Sequence, residues 1–165
     1  MSADALLDAL LTSCVVVTSR DGGEPRGCLV ASVMPVGYRT RTVAFALTTG
    51  SRTQRAVARS GVAALHVLRE DDLATARLFS EDVDRFAAVP WSTGALGVPV
   101  LGGAVGVLEL TTTSSCEAGG CTVVCGEVGH AASPGPPESV MTIIGIRTAG
   151  VESARHSAGA GIRAT

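Results

Sequence analysis

The sequence predicts a mainly β domain with a few short helices, arranged as an antiparallel barrel with the helices on its outside. Apolar runs are short and end at Gly, Pro, Asp or Ser, the pattern of strands and turns. The strands come in hairpins rather than in strict alternation with helices, which argues against a doubly wound parallel sheet. Apolar residues make up 46% of the chain but aromatics only 3%, so the core must be built from Val, Leu, Ile and Ala.

In chain order, residues 3–11 place Leu6, Leu7, Leu10 and Leu11 at helical spacing. Residues 14–18 are β-branched and apolar, a buried strand. Asp21-Gly22 lies in the turn that follows and favours a hairpin, with 27–34 as the returning strand. Residues 42–48 form another strand. A helix is predicted over 51–60, with Ser51 able to cap its start and Gly61 ending it. A strand over 62–68 and a helix over 71–79 follow. Two long strands, 101–113 and 122–131, flank a loop at 114–120, and 139–146 closes the sheet. The whole makes about seven strands and three short helices, a single domain over 1–150. The tail 151–165 is small, polar and rich in Gly and Ala, and is expected to be disordered.

At 165 residues the chain can bury a core without staples. Its net charge of −2 supplies no field to hold nucleic acid or an anionic membrane. Residues 86–108 carry no charge, but Pro90, Pro99 and Gly102-Gly103 make them turns between short strands rather than a membrane span. The N-terminus lacks a basic segment followed by an apolar one, so no signal peptide is expected. The five cysteines are read as reduced thiols of a cytoplasmic protein.

Few motifs carry chemistry of their own. Cys116, Cys121, Cys125 and His130 include metal-ligand types, but their spacing is not that of a zinc knuckle. Cys121 and Cys125 share one face of a predicted strand, which suits buried thiols and no metal. His66 takes the face opposite Leu65 and Val67, which suits a structural histidine. Neither Gly94-Ala95-Leu96-Gly97 nor the glycines at 102, 103 and 106 open a helix after a strand, so a dinucleotide-binding βαβ unit is not indicated. The segment Leu47-Thr48-Thr49-Gly50-Ser51-Arg52-Thr53 does leave a strand for a helix. Helix N-terminal N–H groups with Ser51, Arg52 and Thr53 make a phosphate cradle, although Ser51 serves equally as a plain cap.

The order of segments then becomes informative. Val15-Val16-Val17-Thr18-Ser19-Arg20-Asp21-Gly22 is followed by 27–32, by Ser51-Arg52-Thr53 and by Ser60-Gly61-Val62-Ala63-Ala64-Leu65-His66-Val67-Leu68. Asp84-Arg85-Phe86-Ala87-Ala88-Val89-Pro90-Trp91, residues 94–101 and Val123-Val124-Cys125-Gly126-Glu127-Val128 complete the series. This succession resembles the flavin reductase-like, FMN-binding split-barrel family, which includes the reductase components of two-component flavin monooxygenases. The resemblance spans residues 6–147.

It implies a Greek-key split β-barrel that forms homodimers, with a flavin, FMN or FAD, in a groove near the interface. Leu29, Val30, Ala31 and Ser32 would border the ring and ribityl chain. Leu47, Thr48 and Thr49 would line the same groove, and Ser51, Arg52 and Thr53 would hold the phosphate. The implied chemistry is hydride transfer from NADH or NADPH to flavin, with no catalytic side chain required, and a partner monooxygenase as recipient of the reduced flavin.

Three departures stand out. Where the family commonly has Gly-Asp-His, this chain has Gly119, Gly120 and Cys121. Thr40 and Arg41 replace a Pro-Pro pair, and Thr142 and Ile143 fall near a Tyr-His or Tyr-Arg pair. Cys121 and Thr142 would thus face the dihydronicotinamide or another substrate. These changes support a second reading: a repurposed barrel that binds flavin or another small molecule without reductase turnover, in natural-product biosynthesis.

Overall fold

The computed structural model describes residues 14–37 and 39–132. The helix expected over 3–11, the strand over 139–146 and the tail lie outside these residues.

Nine strands and two helices are described. The first hairpin pairs β1 (Val15–Asp21) with β2 (Glu24–Val30), and β3 (Val33–Gly37) pairs with β4 (Thr42–Thr48). Helix α1 (Arg52–Ser60), β5 (Val62–Val67) and helix α2 (Leu73–Ser80) follow. A small hairpin of β6 (Trp91–Thr93) and β7 (Pro99–Leu101) precedes the long strands β8 (Gly106–Ala118) and β9 (Cys121–Ala132). Seven strands form one antiparallel sheet in the order β2-β1-β5-β8-β9-β4-β3, and β6-β7 stand apart.

That order closes the sheet on itself. β2 and β3 occupy its two edges, yet only Ala31 and Ser32 separate them in sequence. A link so short spans at most about 10 Å, so the edges must come together. The Ser32 carbonyl accepts the Ala46 N–H at 3.0 Å, tying the crossing to β4. The barrel is split at this seam.

Among the described residues the interior is mainly aliphatic, with Phe45 its one aromatic. Val15 and Val17, Val43, Phe45 and Leu47, Ala63 and Leu65, Leu110 and Val124 meet inside the barrel, with Val57 of α1 plugging one end. Val16, on the opposite face of β1, packs with Ala76 and Phe79 of α2 and with Leu101. Both faces of β1 are therefore covered, which explains why its first residues are continuously apolar rather than alternating. Helix α1 starts at Ser51, whose Oγ accepts the Gln54 N–H at 3.2 Å, and ends at Gly61, whose N–H reaches the Val57 carbonyl. Asp72 caps α2 in the same way through the Thr75 N–H. Among the described residues no helix is long and apolar enough to cross a membrane.

The structure changes three sequence expectations. The strand expected over 27–34 breaks at Ala31-Ser32, where the chain exchanges one neighbour strand for another. The strand expected over 101–113 is two strands, because Gly102 and Gly103 turn the chain between β7 and β8. The loop expected at 114–120 is strand up to Ala118. Only Gly119 (φ 59°) and Gly120 (φ 80°) form the turn, a left-handed pair that matches hairpin twist. Ser114, Ser115 and Glu117 are exposed on a paired strand, so polarity there reports exposure rather than loop.

Candidate functional site

Among the described residues a cleft of about 570 Å³ lies along the barrel seam. One wall is the end of β2 and the crossing: Cys28, Leu29, Val30, Ala31 and Ser32. A second is Ala46, Leu47 and Thr48 of β4 with the start of α1, and the segment from Ser80 to Arg85 completes it. The seam generates this cleft, since strands that part at a corner leave a groove that no ladder neighbour fills.

Nine of the ten residues read from the sequence as cofactor-binding line the cleft: Leu29, Val30, Ala31, Ser32, Leu47, Thr48, Ser51, Arg52 and Thr53. Thr49 does not. Its hydroxyl hydrogen-bonds that of Thr122 at 3.0 Å, and its N–H donates to the Gly120 carbonyl, fastening it to the long hairpin. Cys121 pairs with Thr48 across β9 and β4, one strand away from the cleft lining. Thr142 lies outside the described residues.

Helix α1 opens onto the cleft. Ser51 is extended (φ −66°, ψ 159°), as a cap must be, and its side-chain oxygen is committed to Gln54. The amides of Arg52 and Thr53, in the first helical turn, have no intrahelical acceptor. They give the cleft the positive end of the helix dipole. Arg55 donates to the Gly50 carbonyl beside them.

Several lining residues had no role in the sequence reading, among them Arg55, Asp82, Arg85 and Cys28. The Arg85 guanidinium donates to the carbonyls of Gly27 (2.8 Å), Leu78 (3.3 Å) and Glu81, which fixes a cation at the cleft wall. The only sequence signal was its place in Asp84-Arg85-Phe86. Cys28 is half-buried beside it. Burial raises its thiol pKa, against a hydrogen bond with Thr53 and the charge of Arg85.

The histidine read as structural is enclosed. His66 Nδ1 donates to the Val16 carbonyl at 3.0 Å, and Nε2 accepts the Leu101 N–H at 3.0 Å, which assigns the neutral tautomer. Burial lowers its pKa to about 4, although the Val16 carbonyl and the Glu109 carboxylate favour the cation. Among the described residues no group of three His, Cys, Asp or Glu converges as a metal site. Cys121 and Cys125 share one half-buried face of β9, and Cys116 is exposed.

Residues 7–143 match the model of the flavin reductase like domain. The chain belongs to the flavin reductase-like family. It is 32% identical over 124 residues to a flavin-dependent monooxygenase reductase subunit, HsaB, of Rhodococcus jostii, covering 74% of this chain and 64% of that one. It is similar to the Streptomyces globisporus NADH:FAD oxidoreductase SgcE6 in complex with NAD and FAD fragments. That likeness has 28% identity and a TM-score of 0.77, over 86% of this chain and 88% of the other. Another family relative is the actinorhodin polyketide dimerase of Streptomyces coelicolor, 32% identical over 115 residues, covering 68% of this chain and 65% of that one. The chain thus spans less than two thirds of the length of either curated relative. The split barrel is the fold of these relatives.

Proposed function

We propose that the chain is an NAD(P)H-dependent flavin reductase that supplies reduced FMN or FAD to a partner monooxygenase. The observation that carries this is the donor set of the seam cleft. A helix N-terminus and the guanidiniums of Arg52, Arg55 and Arg85 suit a phosphate, beside an apolar wall from Leu29 to Ala31 that suits a flat ring system. The cleft's size falls within the ordinary range for such ligands. The likeness to an NADH:FAD oxidoreductase supports the same reading.

Hydride acceptance is the chemistry that a bound flavin supplies. The chain's own part is positioning. Ser51, Arg52 and Thr53 hold the phosphate, Leu29 to Ser32 border the ring and ribityl chain, and Leu47 and Thr48 flank them. The contacts proposed to the dihydronicotinamide are Cys121 and, outside the described residues, Thr142. The chain acts as a cytoplasmic homodimer. Met34 and Val36, exposed apolar side chains on the edge strand β3, support self-association, and a solution mass twice that of one chain is the expected result.

The test is oxidation of NADH or NADPH by the purified chain with FMN or FAD added. Turnover above the free-flavin background is expected, and a rate equal to background would refute reductase activity. The second reading, a barrel that binds flavin or another small molecule without turnover, is favoured by Cys121 at the family's histidine position and by the dimerase relative. A perturbed FMN absorbance band without nicotinamide oxidation would establish it.

A further inference from the structure

Among the described residues, four charged side chains line the seam cleft. Arg52 and Arg55 come from α1, and Asp82 and Arg85 follow α2. A single carboxylate therefore stands among three cations. Arg85 is held by three backbone carbonyls and Arg55 by the Gly50 carbonyl. Arg52 differs. Its Nη2 is ion-paired with Asp82 Oδ1, which joins the start of α1 to the segment after α2. Both partners are exposed, at 62% and 79%, so water and salt screen the pair and the two side chains can part.

We infer that Asp82 is an affinity-setting residue of this cleft, a built-in competitor for the guanidinium that would otherwise bind the ligand's phosphate. The inference rests on the proposed reading of the cleft as a flavin site with its phosphate at Ser51 to Thr53. A carboxylate and a phosphate seek the same planar donor fork. A phosphorylated ligand must displace Asp82 from Arg52, and the displaced carboxylate then stands beside a like charge. A ligand without phosphate meets neither obstacle. Asp82 thus weakens binding in proportion to the ligand's charge, and bound flavin exchanges with solution rather than staying as a permanent group. This suits a protein whose reduced product has to leave.

The test compares FMN with riboflavin, which lacks the phosphate, on the full-length chain and on Asp82→Asn and Asp82→Glu, by flavin fluorescence at low and high salt. Asp82→Asn is expected to bind FMN roughly three- to tenfold more tightly at low salt, with the gain shrinking as salt rises. Its riboflavin affinity should not change, and Asp82→Glu should behave as the parent. Unchanged or weaker FMN binding by Asp82→Asn, or an equal gain for riboflavin, would overturn the inference while leaving the flavin site standing. Failure of parent and variants to bind either ligand would remove the flavin reading itself, and the inference with it.

Discussion

His66 sits where a charge cannot be solvated. Its ring is sealed between the Val16 carbonyl and the Leu101 N–H, and the second contact requires Nε2 to be an acceptor. Protonation removes that acceptor and leaves a buried N–H facing another. With a folded pKa of about 4 against about 6.5 unfolded, the unfolded chain binds the proton more readily between those values. The neutral ring's contribution is therefore complete above pH 6.5, declines as pH falls and is lost through pH 4, amounting to about 3 kcal/mol. Urea unfolding of the parent and of His66→Gln checks this. The parent should lose stability over that window relative to the variant, and parallel curves would contradict it. Glu109 is a second buried polar residue with a backbone task. Its carboxylate accepts the N–H groups of Ala95 (3.0 Å) and Leu96 (2.7 Å), and a Cβ on Gly94 would stand 2.6 Å from its oxygens. Glu109→Gln turns one acceptor into a donor against a backbone donor and should destabilise the chain by about 1–3 kcal/mol in denaturant titration.

The start of α1 carries a cap and a proposed phosphate site, which one substitution separates. Ser51→Ala removes the cap and should lower stability by about 1 kcal/mol. Ser51→Asp keeps a good cap but places a negative charge where the phosphate is proposed to sit. It should retain the parent's melting temperature and lose FMN affinity by roughly tenfold or more. Equal FMN binding by Ser51→Asp and the parent would leave Ser51 with the cap alone.

Elements of this kind were legible in the sequence because their signals are local. Ser51, Gly61 and the β-branched runs at 14–18 and 62–68 announce themselves. The break at Ala31-Ser32 does not, since the apolar run continues through it and only the pairing partner changes. The same non-local cause hid Arg85 and Asp82, which reach the cleft through the packing of α2 against β1 and β2. Thr49 was misplaced for a related reason. Proximity in sequence to the helix start did not show that Thr122 would hold its hydroxyl on the other side.

At the scale of the molecule, one topological fact produces both fold and cleft. Consecutive strands β2 and β3 at opposite edges of one sheet force closure, and closure leaves a seam. Helix α1 begins at that seam, so its positive end, three guanidiniums and an apolar wall converge in one groove. None of these groups makes or breaks a covalent bond in the proposed function. Their work is to bind and orient, which is why the absence of a nucleophile or a paired set of carboxylates from the sequence is compatible with an enzyme. The crystal structure of the full chain grown with FMN tests this account most directly. The expected result is flavin in the seam, its phosphate bonded to the amides of Arg52 and Thr53 and to a guanidinium of Arg52, Arg55 or Arg85, and its ring against Leu29 to Ser32. Flavin bound elsewhere, or seated in the seam with its phosphate away from α1, would contradict it.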